Sequence, residues 1–526
     1  MAAVRQVRAG GRLLLAAALL APAARADMLA LHDGRFIEGR PIERVEGGYK
    51  VKYEHGEIMI PEALVLDFHL EKDGEFEPRT EEEKEKFAKG LVPWAGSWVS
   101  KAYRDKKRQE ALENRRRSLE QQKERQEWRN HVTVTTRKFV FKHTLPDDVF
   151  EELKVLFEAY YDFFSDYWGV RAGAKFGKPV IHIYHNEDYF LQRSGAPKGV
   201  VGWYMPLTKE LHFFYDRDRH RFTIDVMFHE GNHMLTHMID EKVRYPKWLN
   251  EGMAEYFGAS RWDPAKKEMT VGHLQSARLA VIEDEIDDGT WRELEPLMRA
   301  PQISATEYAW VWSFCHFLLS SERYQKGFKK FYLALARSSS VQKTTVMLAY
   351  KVIEPDEVIE ALKRYLRIKD LKELEQEWHA YIKDNLVERP EGLDYGMAAW
   401  IMELYGRDDK AKRLFRKALA KGSDEAWVHY GYAELRAHEK RRLALKHATR
   451  ATELDPLHAR AWALRGRCLL AEDEEEGLRM LRLGEELDPM DGIIRMWVDV
   501  AVEEAKQNAG KPKPPEEEEE EEGCGE

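Results

Sequence analysis

The sequence predicts a multidomain chain with a central α+β domain, a small β module before it and an α-helical repeat after it. Three observations lead there. The chain has 526 residues, more than one compact core holds, and its 43% hydrophobic content with many aromatics marks folded material. Between residues 131 and 389, strand-like and amphipathic helical stretches alternate. After residue 390, the text repeats with a period near 34.

Residues 1–26 read as a signal peptide. Arg5, Arg8 and Arg12 precede the apolar run from Leu13 to Leu20, and Ala24-Arg25-Ala26 offers a small-x-small cleavage site before Asp27. The run falls short of the roughly 18 residues that span a bilayer. The expectation is an exported protein, periplasmic or extracellular, with no membrane span after cleavage. The net charge is −10, of which Glu516–Glu522 supplies −7, so no basic domain stands out and nucleic acid is not expected as a partner. Cys315, Cys468 and Cys524 are odd in number and scattered, and they form neither a disulfide framework nor a metal knuckle.

Residues 27–75 alternate in character, as in Tyr49-Lys50-Val51-Lys52-Tyr53, and are punctuated by Gly39, Gly47-Gly48 and Gly56. This resembles a small SH3-like β-barrel. Residues 76–130 are rich in Glu, Lys, Arg and Gln, and Lys101 to Arg129 contains no Gly or Pro, which predicts an exposed, charged linker helix. In the domain at 131–389, Val132-Thr133-Val134 and Val180-Ile181-His182-Ile183-Tyr184 read as strands, and Gly202 to Tyr215 as two more. A helix is expected from about Leu145 to Trp168, with Phe150, Leu153, Leu156, Phe157 and Tyr160 on one face, and another from Thr223 to Asp240. Over 390–508, Glu-Leu-Asp-Pro recurs at 453 and 486, and Ala-Trp at 426 and 461. This stretch resembles two to three degenerate tetratricopeptide repeats (TPRs) in a helical solenoid, which implies a concave surface for a protein partner. Residues 509–526, Pro-rich and then carrying the run Glu516–Glu522, are expected to be disordered.

The chemistry concentrates near the middle. His229-Glu230-Gly231-Asn232-His233 is an H-E-x-x-H. On a helix its histidines lie one turn apart on one face and can bind one zinc ion, while Glu230 reaches a water on the open side. Two ordinary histidines on a buried helix would give the same pentapeptide, and a catalytic zinc needs a third protein ligand. Beyond His233, the segment Trp248-Leu249-Asn250-Glu251-Gly252-Met253-Ala254-Glu255-Tyr256-Phe257 offers Glu251, with seventeen residues between the two. His237 continues the histidine stripe but reads as packing. Glu255, one turn after Glu251, and Asp225, one turn before His229, can each orient a ligand histidine or simply form a salt bridge.

H-E-x-x-H followed by W-L-N-E-G-x-A-E-Y-F resembles the gluzincin metallopeptidases, the thermolysin-like and aminopeptidase-like group. Within it the chain looks most like the peptidase MA-like domains called DUF1570, over residues 132–388. The resemblance implies a zincin-like fold, one Zn2+ held by His229, His233 and Glu251, and Glu230 as general base. It further implies a tyrosine opening a downstream helix as oxyanion donor, for which Tyr308 is the candidate, with a core aromatic as the other reading. It also implies an edge strand for a peptide substrate, here around Trp203 and Tyr204. The exopeptidase motif G-x-M-E-N is absent, so an endopeptidase is the default expectation. A zinc-binding envelope scaffold without activity, recruiting partners through its TPRs, is the competing reading.

Overall fold

The computed structural model describes residues 27–508 apart from 33–34, 71–75, 77, 95–96, 172–176, 198–199, 217–218, 337–341, 345–348, 387–389 and 490. The signal peptide expected at 1–26 and the acidic tail at 509–526 lie outside the described residues.

The chain divides into two units, Met1–Lys52 with Pro61–Leu119, and Tyr53–Ile60 with Glu120–Glu526. In the first, the strands Phe36–Glu38, Met28–Leu31 and Val65–His69 form an antiparallel sheet whose centre, Leu29 and Ala30, is buried. Ile42–Val45 and Gly48–Lys52 make a hairpin. The stretch at 76–130, expected to be a charged linker with a helix over Lys101 to Arg129, holds more elements than that helix. A helix at Glu81–Ala88 carries a capping box between Thr80 and Glu83 and is followed by a hairpin of Leu91–Trp94 with Ser97–Ser100. Only then does the long helix Lys101–Gln126 run. The hairpin strands have four residues each, one of them Pro93, and are too short to set up a period-2 pattern.

The second unit is built on a five-stranded mixed sheet. Its strands are β1 (Val132–Thr135), β2 (Val140–His143), β3 (Val180–Tyr184), β4 (Gly202–Met205) and β5 (Glu210–Phe214), in the spatial order β4-β5-β3-β2-β1. The β2–β3 and β3–β5 pairs are parallel, and the outer pairs are antiparallel. Alternation along each strand splits the sheet into two faces. One face presents Phe141, Ile181, Ile183, Leu211 and Phe213 to the main core. Helix α1 (Asp147–Trp168) covers it with Phe150, Leu153, Leu156, Phe157 and Tyr160, all buried as the helical spacing predicts. Gly169, left-handed at φ 63°, ends that helix.

Helix α2 (Glu187–Ser194) packs on the other face, where Phe190 meets Tyr184 and Phe214. Helix α3 (His220–Thr236) carries the H-E-x-x-H and starts three residues earlier than the apolar text suggests. Helix α4 (Lys247–Gly258) begins directly after Pro246, whose φ of −53° suits a helix start. Helix α5 (Ser276–Asp287) and the almost fully buried helix α6 (Glu307–Ser320) complete the surroundings of the site.

From residue 392 the chain is helical hairpins: α7 (Gly392–Leu404) with α8 (Asp408–Ala420), α9 (Ala426–Arg436) with α10 (Arg441–Leu454), and α11 (Ala459–Leu469) with α12 (Glu474–Leu487). A last helix, α13 (Gly492–Asn508), follows. Successive hairpins begin at 392, 426 and 459, matching the period read from the text. Among the described residues no helix is long and apolar enough to cross a membrane.

Candidate metal centre

Helices α3 and α4 bring His229, His233 and Glu251 together. The imidazole Nε2 atoms lie 3.2 Å apart, and Glu251 Oε2 is 3.5 Å from His229 Nε2 and 3.3 Å from His233 Nε2. A tetrahedral zinc with bonds of about 2.0–2.1 Å spaces its ligand atoms by about 3.3–3.4 Å. The three atoms therefore form a triangle of the size a single zinc ion spans. The other carboxylate oxygen of Glu251 is occupied, accepting from Asn250 Nδ2 at 3.1 Å with Lys247 Nζ at 3.6 Å, which turns Oε2 toward the histidines.

Two tight packings set this geometry. A Cβ on Gly231 would lie 2.9 Å from the Phe157 ring, so α3 rests directly on α1. A Cβ on Gly252 would lie 2.6 Å from the Val311 carbonyl oxygen and 2.7 Å from Cys315 Sγ, so α4 rests on the backbone of α6. The smallness of Gly231 thus serves a neighbouring helix.

Glu255 sits behind His229, with Oε1 3.3 Å from Nδ1. Arg278 of α5 grips that carboxylate with both ends of its guanidinium, at 3.0 and 2.6 Å. A ligand histidine whose second nitrogen meets a fixed carboxylate is held in one tautomer and orientation. Burial alone raises Glu255, but the Arg278 charge and His229 outweigh it and bring its pKa down to about 2. Burial alone lowers His229, but hydrogen bonds that its ring donates to Glu251 and Glu255, and the charges of Glu255 and Glu230, raise it to about 10. Burial raises Glu251, and the histidine charges and hydrogen bonds take it well below the carboxylate range. The group as a whole favours positive charge at its centre.

Glu230 borders the same space. Its Oε2 accepts from the Tyr204 N–H at 3.1 Å, and its Oε1 is 4.0 Å from His229 Nε2. Burial raises its pKa, against the opposing pull of the two histidines. Tyr308 opens α6 and lines the same cleft as His229 and Glu230. Its hydroxyl is held protonated by burial and by the charges of Glu251, Tyr405 and Glu255.

Other expected residues are distributed differently. Asp225 is paired with Arg221 at 2.5 Å and lies 3.8 Å from Arg261, so the arginines hold it, and burial raises its pKa to about 7. Tyr204 contributes its backbone to Glu230 and its hydroxyl to His237 Nδ1 at 3.2 Å. Trp203, expected beside it for substrate, points to the opposite sheet face as the partner of His212. The residue of β4 that lines the cleft is Gly202. His237 caps the end of α3 and lies 3.3 Å from Arg244, with burial lowering it to about 4.

Two residues at the site escape sequence reasoning. Arg278 comes from a helix with no motif, and its guanidinium stands 5.5 Å from the Tyr308 ring. Tyr405 follows the first repeat helix, with its ring centroid 6.5 Å from that of Tyr308. The cleft, about 710 Å³, is closed on one side by α7, through Met397, Trp400, Ile401 and Leu404. No curated protein matches the chain. Residues 223–342, which carry the histidines, both α4 glutamates and Tyr308, match the model of a family described as Protein of unknown function (DUF1570).

Proposed function

We propose that the chain is a zinc-dependent metallohydrolase that cleaves peptide bonds. In this reading His229, His233 and Glu251 hold one Zn2+ and Glu230 is the general base. The ligand triangle, with edges of 3.2, 3.3 and 3.5 Å, carries the reading. Two imidazole nitrogens and one carboxylate oxygen suit zinc and leave a position for water or substrate. A bound zinc ion supplies Lewis acidity at that position, polarising a carbonyl and acidifying water.

The chain's own residues do the rest. Glu230 Oε2 is fixed by the Tyr204 N–H, and Oε1 is left to take a proton from the attacking water. Glu230 then passes that proton to the leaving amine. Tyr308, protonated and beside the site, donates to the developing oxyanion. Glu255 and Arg278 keep His229 in its ligand orientation. The substrate lies in the cleft between β4 and α7, whose apolar side chains receive an apolar side chain of the peptide.

The hairpin starts at 392, 426 and 459 support a TPR-like reading of the last domain, with a protein partner on the surface that α7 does not use. The residues before Asp27 support export to a periplasmic or extracellular compartment.

Hydrolysis of a peptide library by the purified chain tests the reading. Glu230→Gln is expected to retain zinc and lose cleavage. Full zinc without cleavage in the wild type would favour an inactive zinc-binding scaffold.

A further inference from the structure

The far face of the central sheet holds a second group of metal-ligating side chains. His182 of β3 and His212 of β5 are direct partners in parallel strands, and Val180 pairs with Glu210. Glu210 and His212 are two residues apart and share that face. Glu210 Oε1 is 3.6 Å from His182 Nε2, and Glu210 Oε2 is 3.9 Å from His212 Nε2. The two rings stack with centroids 4.3 Å apart and planes 6° apart. One ligand atom from each of the three residues lies within 4.8 Å of the other two.

We propose that His182, Glu210 and His212 form a second divalent-cation site, of zinc type, that ties β3 to β5 independently of the centre on α3 and α4.

Stacking alone would account for two buried rings, but it leaves their polar atoms unexplained. His182 is 8% exposed and His212 5%. Neither ring nitrogen of His182 has a hydrogen-bond partner, and Nε2 of His212 has none. Buried polar atoms are rarely left so, and a bound ion is one of the few things that explains them. His212 is already oriented for the task. Its Nδ1 lies 3.0 Å from the Tyr184 hydroxyl, so an Nδ1–H donated to that oxygen leaves Nε2 as a free lone pair facing Glu210. Glu210 stands 3.6 Å from one ring through Oε1 and 3.9 Å from the other through Oε2, and holding one ion requires the stacked rings to turn until their in-plane lone pairs converge on it. The Glu210 side chain is 30% exposed and gives an ion a way in.

The metal content of the full-length chain tests this. The chain is loaded with Zn2+, freed of excess metal by gel filtration and measured by elemental mass spectrometry. Two zinc ions per chain are expected. Glu210→Gln, at a partly exposed position, should lower the content to one while circular dichroism stays unchanged, and His182→Gln/His212→Phe should do the same. His229→Ala/His233→Ala should retain one. A single zinc in the wild type that His229→Ala/His233→Ala abolishes would overturn the second site and leave the proposed function standing. A single zinc that survives in that variant and is lost in Glu210→Gln would support the second site and count against the proposed function. Two zinc ions in folded Glu210→Gln and folded His182→Gln/His212→Phe would overturn the assignment.

Discussion

At the scale of single residues, the proposed reading divides the centre into groups that would hold an ion, groups that would move protons and groups that would position the others. Glu230→Gln removes a proton acceptor while keeping the shape, so hydrolysis should fall by about a hundred- to ten-thousand-fold with zinc retained. Glu255 and Arg278 act through His229. Glu255→Gln removes the charge at 3.3 Å from Nδ1 and should weaken zinc binding by about ten- to a hundredfold in chelator competition. Unchanged affinity would show that Glu255 serves only Arg278. The convergence of His229, His233 and Glu251 was legible because i, i+4 spacing fixes where two side chains project, and because a metal reading of the pair called for a third ligand type. Arg278 was not, since no local pattern announces an arginine reaching across from another helix. Trp203 lies on the sheet face away from the cleft because adjacent residues on a strand face opposite ways, so one position in sequence changes the side of the sheet.

At the scale of elements, amphipathic helices were readable and close contacts were not. Helix α1 announces its buried face through Phe150, Leu153, Leu156, Phe157 and Tyr160, a stripe that only one rotation of the helix can bury. Gly252 gives no such signal, because its partner is a backbone oxygen remote in sequence. Gly252→Ala forces a methyl to within 2.6 Å of the Val311 carbonyl oxygen. Pushing α4 off α6 should destabilise the unit by about 1–3 kcal/mol, measured by urea denaturation. An unchanged midpoint would mean the two helices separate easily. Helix α7 carries a different strain. Burial, with the charges of Glu434 and Asp408, raises Glu403 to about 8. Below pH 4.5 this carboxyl is protonated in the folded and the unfolded chain alike. As pH rises from 4.5 to 8, the unfolded chain releases the proton and the folded chain keeps it, so stability falls. Glu403→Gln should therefore raise the melting temperature at pH 8 and leave it nearly unchanged at pH 4. Equal shifts at both pH values would rule out a titrating Glu403 as the cause.

At the scale of the whole molecule, the helical repeat period and the metal motif were read as separate features, one for a partner and one for chemistry. Within the second unit they meet, since Met397, Trp400 and Ile401 of the first repeat helix close the cleft that contains His229 and Glu230. Pattern reading gives the period of a repeat but not the surface it packs on, which depends on contacts remote in sequence. Trp400 also covers the Arg219 guanidinium at 4.3 Å. Trp400→Ala should raise KM for apolar peptides with a smaller effect on kcat, as expected when binding shared by ground and transition states is lost. A loss confined to kcat would place Trp400 in the chemistry instead. The proposed chemistry depends on an ion at the first centre. The most direct measurement is therefore the zinc content of the wild-type chain beside that of His229→Ala/His233→Ala. The difference should be one zinc ion per chain, lost together with hydrolysis, and equal zinc in the two proteins would contradict the centre described here.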